Sequence, residues 1–318
     1  MKNYHDLLKD VLDNGQVQDN LRTGDRCWAV VGRQLEFDLR EGFPALTTRK
    51  LPFKNIVGEL LGFFRGYDNA ADFRALGCGF WDKNANETKA WLNSPARLGQ
   101  DSLGRIYGRQ WIDWKDQRIA QSLQERDRLS ALGYRQTMHD PAQSSWLMER
   151  GINQLEGALQ KLMTDPSDRR IIVSAWRPDE FDQMALAPCH MDYRFVAFSD
   201  NTLHVVMTIR SWDLFLGGPA NICETAIFLA LMARLCGRKA GKVVIQATNA
   251  HIYENHLSAV GHLLSREHFN APQLSISDRV ATLSSIDQVS GVFANIEPED
   301  ISLLGYECHP PITAEMSA

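Results

Sequence analysis

The chain has 318 residues, 44% of them hydrophobic, and a formal net charge of −5. A chain of this size and apolar content buries a large core as one big domain or two small ones, and without a basic excess it offers no nucleic-acid-binding surface. The longest apolar run, 225–233, is far short of a membrane span, and the start Met1-Lys2-Asn3-Tyr4-His5-Asp6 carries charges where a secretory signal needs an apolar centre.

Tyr4, Leu7, Leu8, Val11 and Leu12 recur at helical spacing, and Gly15 suits the stop. A second, more apolar helix is expected over 56–64, and both should cover a sheet. The stretches 85–100, with Asn93-Ser94-Pro95 as a turn, and 113–145, polar and containing Gly133 and Pro141, interrupt the pattern. Strand composition returns at 171–175, 193–198 and 203–209, the last two joined by Ser199-Asp200-Asn201, whose residue types favour a tight turn. Along the last arm Leu203, Val205, Met207 and Ile209 face one way and His204, Val206, Thr208 and Arg210 the other, so Arg210 is placed to reach a cavity. Pro219 to Asn221 opens a helix expected over Glu224 to Leu235, with Gly237 as its stop. It is apolar nearly all round and therefore buried.

Three segments of the C-terminal half carry chemistry. Ala187-Pro188-Cys189-His190 presents a thiol, Arg210-Ser211-Trp212-Asp213 a guanidinium, and Gly217-Gly218-Pro219-Ala220-Asn221 a carboxamide. Positive charge favours a thiolate, and Arg169-Arg170 and Arg210 supply it. Taken alone, Cys189 suits an ordinary buried thiol and Arg169-Arg170 a solvated pair at a strand start. Six cysteines without a Cys-x-x-Cys pair read as reduced thiols, so the chain reads as cytoplasmic.

Further motifs follow in order: Arg22-Thr23-Gly24, Glu59-Leu60-Leu61, Trp81-Asp82, Tyr107-Gly108-Arg109-Gln110-Trp111, the long string Asp168-Arg169-Arg170-Ile171-Ile172-Val173-Ser174-Ala175-Trp176, His251-Ile252-Tyr253-Glu254-Asn255-His256, Gly305-Tyr306 and His309-Pro310. In order and spacing they resemble the thymidylate synthase family along nearly the whole chain. The resemblance implies one α+β domain over 1–318, a large mixed and antiparallel sheet with helices on one side, and an insertion around 113–145. It implies a homodimer formed through the sheet's other face, each chain lending Arg169 and Arg170 to its neighbour's site.

The same resemblance assigns roles. Cys189 is the nucleophile, Glu59 the proton relay in a water network, and Tyr107, His190, Arg210 and Asp213 complete the catalytic set, His190 as an orienting group. Arg22, Arg210, Ser211 and the partner's Arg169 and Arg170 hold the phosphate of dUMP, with guanidinium forks suited to its oxygens. Asn221 accepts from the N3 hydrogen of uracil and donates to its 4-oxygen, a pattern cytosine reverses, although an Asn at a helix start also suits a cap. His251 and Tyr253 reach the sugar 3'-hydroxyl. Trp81, Leu186, Asp213, Gly217 and Ala318 line the place of the one-carbon donor, 5,10-methylenetetrahydrofolate, with Arg49 or Lys50 for its glutamate tail. No metal is expected: on a helix, His251 and His256 would point about 140° apart.

The chain departs from the family mainly on the folate side. Asn84 stands for a second tryptophan, Gly218-Pro219-Ala220-Asn221 for Leu-Pro-Phe-Asn, Trp212 for a small residue, and Ala318 is a smaller last residue than usual. Ile209 stands for a glutamine and Asn249 for an aspartate. Lost bulk there resembles the hydroxymethylases of viruses that modify their DNA bases, which implies water capture and 5-hydroxymethyl-dUMP as the favoured product, made by an enzyme that is cellular or virus-encoded and acts in the host cytoplasm. Thymidylate synthase, giving dTMP and dihydrofolate, is the alternative, and an inactive family-like binding protein the remote one.

Overall fold

The computed structural model describes residues 1–20 and 24–315. The N-terminal half runs α1 (Lys2–Asn14), β1 (Gln16–Asp19), β2 (Arg26–Asp38), α2 (Phe53–Phe64), α3 (Ala70–Ala75), α4 (Asp82–Asn86), α5 (Lys89–Leu92) and α6 (Tyr107–Ile112). Next come β3 (Trp114–Ala120), α7 (Leu123–Ala131), β4 (Arg135–Asp140), β5 (Ser145–Ile152) and α8 (Gln154–Thr164). The C-terminal half runs β6 (Ile172–Ser174), β7 (His190–Ala197), β8 (Thr202–Asp213), α9 (Gly217–Leu235), β9 (Lys239–Tyr253), α10 (Leu257–Leu264), β10 (Gln273–Ile276) and β11 (Ile301–Leu304). This is the expected α+β class.

Six strands form the main sheet in the order β1-β2-β9-β8-β7-β6. Neighbours are antiparallel except β8 and β9, which run parallel. A parallel pair needs a long crossover, and α9, buried along most of its length, provides it. The predicted alternation of β8 is observed: Leu203, Val205, Met207 and Ile209 are buried, while His204, Val206, Thr208 and Arg210 are half-buried on the opposite face. That second face carries one row of paired residues, Ile172, Arg194, Val206, Val244 and Glu36, across five strands.

The core beneath the sheet is tied by aromatic rings. Trp111 of α6 stacks on Phe228 of α9 at 5.7 Å and meets Phe63 of α2 and Tyr193 of β7 edge-on, each at 5.5 Å. Gly108 makes this packing possible, since a Cβ there would lie 2.4 Å from the Phe63 carbonyl oxygen. The close approach of α6 to α2 stacks the Tyr107 ring on Phe63 at 4.8 Å.

Two regions are more ordered than the sequence suggests. Residues 85–100 include the helix α5 as well as turns. Residues 114–152 form a separate antiparallel sheet, β3-β5-β4, braced by α7 around a small core of Ala120, Leu129, Tyr134, Trp146 and Met148. Its strands were hidden because most residues of β3 and β4 are polar and Ala120 alone among them is buried, so the alternation that marks a half-buried strand is weak.

Candidate active site

The pairing of the sheet brings distant segments to one end. Because β8 and β9 are parallel, Ser211 lies opposite Asn249 and Asp213 opposite His251. Because β7 runs the other way, its first residue, His190, lies opposite Ile209 at that same end, and α9 starts four residues past β8 at Gly217. Thiol, guanidinium, carboxamide and imidazole thus meet.

Cys189 is half-buried just before β7. Its backbone N–H donates to Tyr107 Oη at 2.6 Å, and its carbonyl accepts from the Arg210 N–H at 3.0 Å. The Arg210 guanidinium donates to the carbonyls of Pro188 and Ala187, both at 2.9 Å, and lies 5.6 Å over the Trp176 ring. Arg210 therefore braces the loop that carries the thiol. Burial, reinforced by the charge of Cys189, holds the Tyr107 hydroxyl well above the usual phenol range, so it acts as a neutral hydrogen-bonding group.

Glu59 sits half-buried on α2. Burial pushes its carboxyl up to about 7, opposed by the nearby Trp81 indole. A carboxyl balanced near neutrality both gives and takes a proton at working pH. His190 is buried, and desolvation lowers it to about 4 against the pull of the Asn221 side chain, so its imidazole is neutral. Its Nδ1 lies 3.0 Å from Tyr193 Oη. Asn221 sits in the first turns of α9, where a Cβ on Gly217 would come within 3.3 Å of its Oδ1.

His251 and Tyr253 lie in β9 itself, which continues to Tyr253. Their rings meet edge-on at 5.1 Å, and His251 Nδ1 is 2.9 Å from Asn249 Oδ1. His256 belongs to a 3-10 turn, Glu254–His256, so the helical geometry assumed for the two histidines does not apply. Among the described residues no three His, Cys, Asp or Glu side chains are grouped to hold a metal.

On the side expected to take the donor, Asp213 Oδ1 accepts from the N–H groups of Phe215 and Leu216 at 3.0 and 3.2 Å, fixing the turn into α9. Its side chain stays 23% exposed. Trp81 is buried edge-on against Tyr107 at 5.7 Å, while Leu186, Ser211 and Gly217 are half-buried.

Other expected residues are not brought in. Arg169 and Arg170 are exposed at the start of β6, and Arg170 pairs with Asp168 at 2.8 Å. Arg49 is unsuited to a glutamate tail: it is buried, donates to the Phe215 carbonyl and lies 4.5 Å over that ring, whereas Lys50 is exposed. Arg22 and Ala318 fall outside the described residues. One group was missed altogether. Glu224 of α9 is 1% exposed beside His190, and its signal in the sequence was a lone acid within a helix that is otherwise apolar all round.

An α+β fold that gathers a thiol, a carboxyl raised by burial and a carboxamide at one sheet end suits a group-transfer enzyme. Comparison with known proteins makes the assignment particular. The chain matches the family model described as thymidylate synthase over residues 2–318. It is 42% identical to the thymidylate synthase of Pseudomonas putida and 40% identical to those of Bordetella parapertussis and Pseudomonas syringae pv. tomato, each match covering the whole of both chains. The chain belongs to the thymidylate synthase family.

Proposed function

We propose that this enzyme makes thymidylate, transferring a one-carbon unit from 5,10-methylenetetrahydrofolate to C5 of dUMP and releasing dTMP and dihydrofolate. The observation that carries the reading is the placement of Cys189 between Tyr107 and Arg210 at the sheet end that also holds His190 and His251. Carbon 5 of uracil is a weak nucleophile. Addition of the Cys189 sulfur to C6 makes C5, C4 and O4 an enolate, and the S–C6 bond breaks again at the end to restore the thiolate. Glu59, balanced near neutrality, exchanges the proton at O4.

Asn221 reads N3 and O4, with neutral His190 orienting it. Arg22, Arg210, Ser211 and Arg169 and Arg170 of the partner subunit anchor the phosphate, and that binding energy positions the ring over the sulfur. His251 and Tyr253 take the 3'-hydroxyl. The donor supplies the one-carbon unit and then hydride. A part-exposed carboxylate, Asp213, suits a flat ring that presents N–H donors, and Trp81, Leu186, Gly217 and Ala318 complete our assignment.

The hydroxymethyl outcome has less support. A Cβ on Gly218 would come 3.3 Å from the Tyr4 ring and 3.7 Å from Trp212 Nε1, and Trp212 is 1% exposed. The space beside Gly218 is thus already taken by Tyr4 and Trp212, so the glycine opens no wall on that side. The names of the relatives agree. Product mass and folate oxidation state decide: dTMP with dihydrofolate is expected, and 5-hydroxymethyl-dUMP with tetrahydrofolate would overturn the methyl reading.

We also infer a cytoplasmic homodimer. All six cysteines are thiols, which fits a reducing compartment. The sheet face opposite α9 leaves Ile172 and Val196 each 42% exposed, as a surface meant for a second copy would. Mixing inactive Cys189→Ala chains with inactive chains carrying Arg169→Ala and Arg170→Ala should restore about one working site per mixed dimer. Mixed dimers that form yet stay inactive would remove the shared-arginine claim.

A further inference from the structure

The guanidinium of Arg210 is braced without being neutralised. Among the described residues it has no carboxylate partner: Nε and Nη2 donate to the carbonyls of Pro188 and Ala187, both at 2.9 Å, and its third contact is the face of the Trp176 ring at 5.6 Å. Two of its five N–H groups go to those carbonyls, so three remain for an anion. Other arginines of the chain are held differently. Arg105 meets Glu180 at 2.6 Å and Arg170 meets Asp168 at 2.8 Å. A carboxylate in the place of Trp176 would hold Arg210 as firmly, but it would compete with a thiolate and a phosphate for the positive charge. An indole face attracts a cation through its quadrupole and carries no net charge.

Trp176 is itself fixed. It stands two residues past β6, and its backbone N–H donates to Ser174 Oγ at 3.3 Å. Ser174 is tied in turn to the Gln154 side chain of α8, through its N–H and its carbonyl, both at 2.9 Å. Between them, the Ala175 N–H donates to the Met191 carbonyl at 2.9 Å. Phe181 meets the half-buried indole edge-on at 4.6 Å, and the next side chain, Arg177, lies 4.9 Å over Trp114 of β3. The ring therefore offers Arg210 a platform whose place is set by other contacts.

We propose that Trp176 is the positioning residue for Arg210: its ring face holds the guanidinium against the Cys189 loop with the charge uncompensated, so that one arginine both favours the thiolate and keeps N–H groups for the phosphate of dUMP. This rests on the thiolate and phosphate roles assigned to Arg210. Trp176 acts through Arg210 and not on the substrate. A guanidinium free to swing toward water would give the sulfur less positive charge and would bind phosphate less well.

Fluorinated tryptophans placed at position 176 alone, in the full-length protein, test the proposal. Ring fluorines drain the negative face stepwise and barely change the shape, so packing stays as it is and a merely structural role would not respond. Without dUMP, alkylation of Cys189 by iodoacetamide is followed against pH on its own peptide by mass. The midpoint should move to higher pH with each added fluorine, because a looser guanidinium favours the thiolate less, while the half-buried Cys308 should keep its wild-type profile. In turnover, KM for dUMP should climb about 5-fold or more between tryptophan and the tetrafluoro ring, with a smaller change in kcat. Trp176→Leu, which has no ring, should go at least as far, and the fluorine series decides even should that variant fail to fold.

A Cys189 midpoint that stays flat across the series would overturn the proposal. So would a fluorine dependence that persists in Arg210→Gln, where no guanidinium remains to feel the ring. A midpoint that moves while KM stays flat would strike out the phosphate half. The alkylation arm uses neither dUMP nor folate, so a product other than dTMP would sink the methyl reading and leave this inference standing.

Discussion

Replacing Cys189 with alanine should lower turnover by about 10⁴-fold or more while leaving the fold intact. The segment is held by its backbone, through the N–H to Tyr107 Oη and the carbonyl to the Arg210 N–H, and alanine keeps both contacts. The side chain is also only half-buried, so its loss leaves little void. The variant should therefore match wild type in circular dichroism and thermal midpoint and still bind dUMP, with no adduct to the ring detectable by mass. A folded Cys189→Ala enzyme that keeps most of its turnover would show that another atom attacks C6.

The second large effect concerns the base. Wild type should prefer dUMP over dCMP by about 10⁴-fold in kcat/KM, because cytosine leaves the Asn221 carboxamide and its own edge groups unpaired in a closed site. Asn221→Asp should collapse that preference, since a carboxylate offers acceptors to the cytosine amine and none of the donors O4 needs. Neutral His190, the buried neighbour of Asn221, brings no positive charge to rescue the mismatch with uracil. Competition of the two monophosphates at equal concentration measures the ratio, and comparable wild-type rates on both would refute the assignment.

Elements with strong periodicity were legible from the residues alone. The opening helix, the apolar helix ending at Phe64, the hairpin through Asn201 and the buried helix beginning at Gly217 all appear close to where spacing and turn residues put them. Asn201 has φ +68, the backbone state that its residue type tolerates. The small sheet of 114–152 was not legible, because a five-residue core imposes little pattern on strands that are otherwise polar. At the site, residues in contiguous motifs were legible and long-range consequences were not. That Arg210 would bind the carbonyls of its own Cys189 loop, and that Arg49 would turn inward onto Phe215, depend on which backbone oxygens the fold leaves open. Glu224 was overlooked because periodicity reports which face of a helix is buried and says nothing about a single acid on a helix buried all round.

The surroundings of Gly218 close that position to larger residues. A Cβ there would stand 3.3 Å from the Tyr4 ring, 3.5 Å from the Asp213 carbonyl oxygen and 3.7 Å from Trp212 Nε1. Tyr4 and Trp212 are both buried, so neither ring has free space to yield into. A branched side chain at 218, such as the leucine the family resemblance implies, would overpack this corner at a cost of about 1–3 kcal/mol. Gly218 is therefore tied to Tyr4 and Trp212, and a change at 218 needs a change in one of those rings.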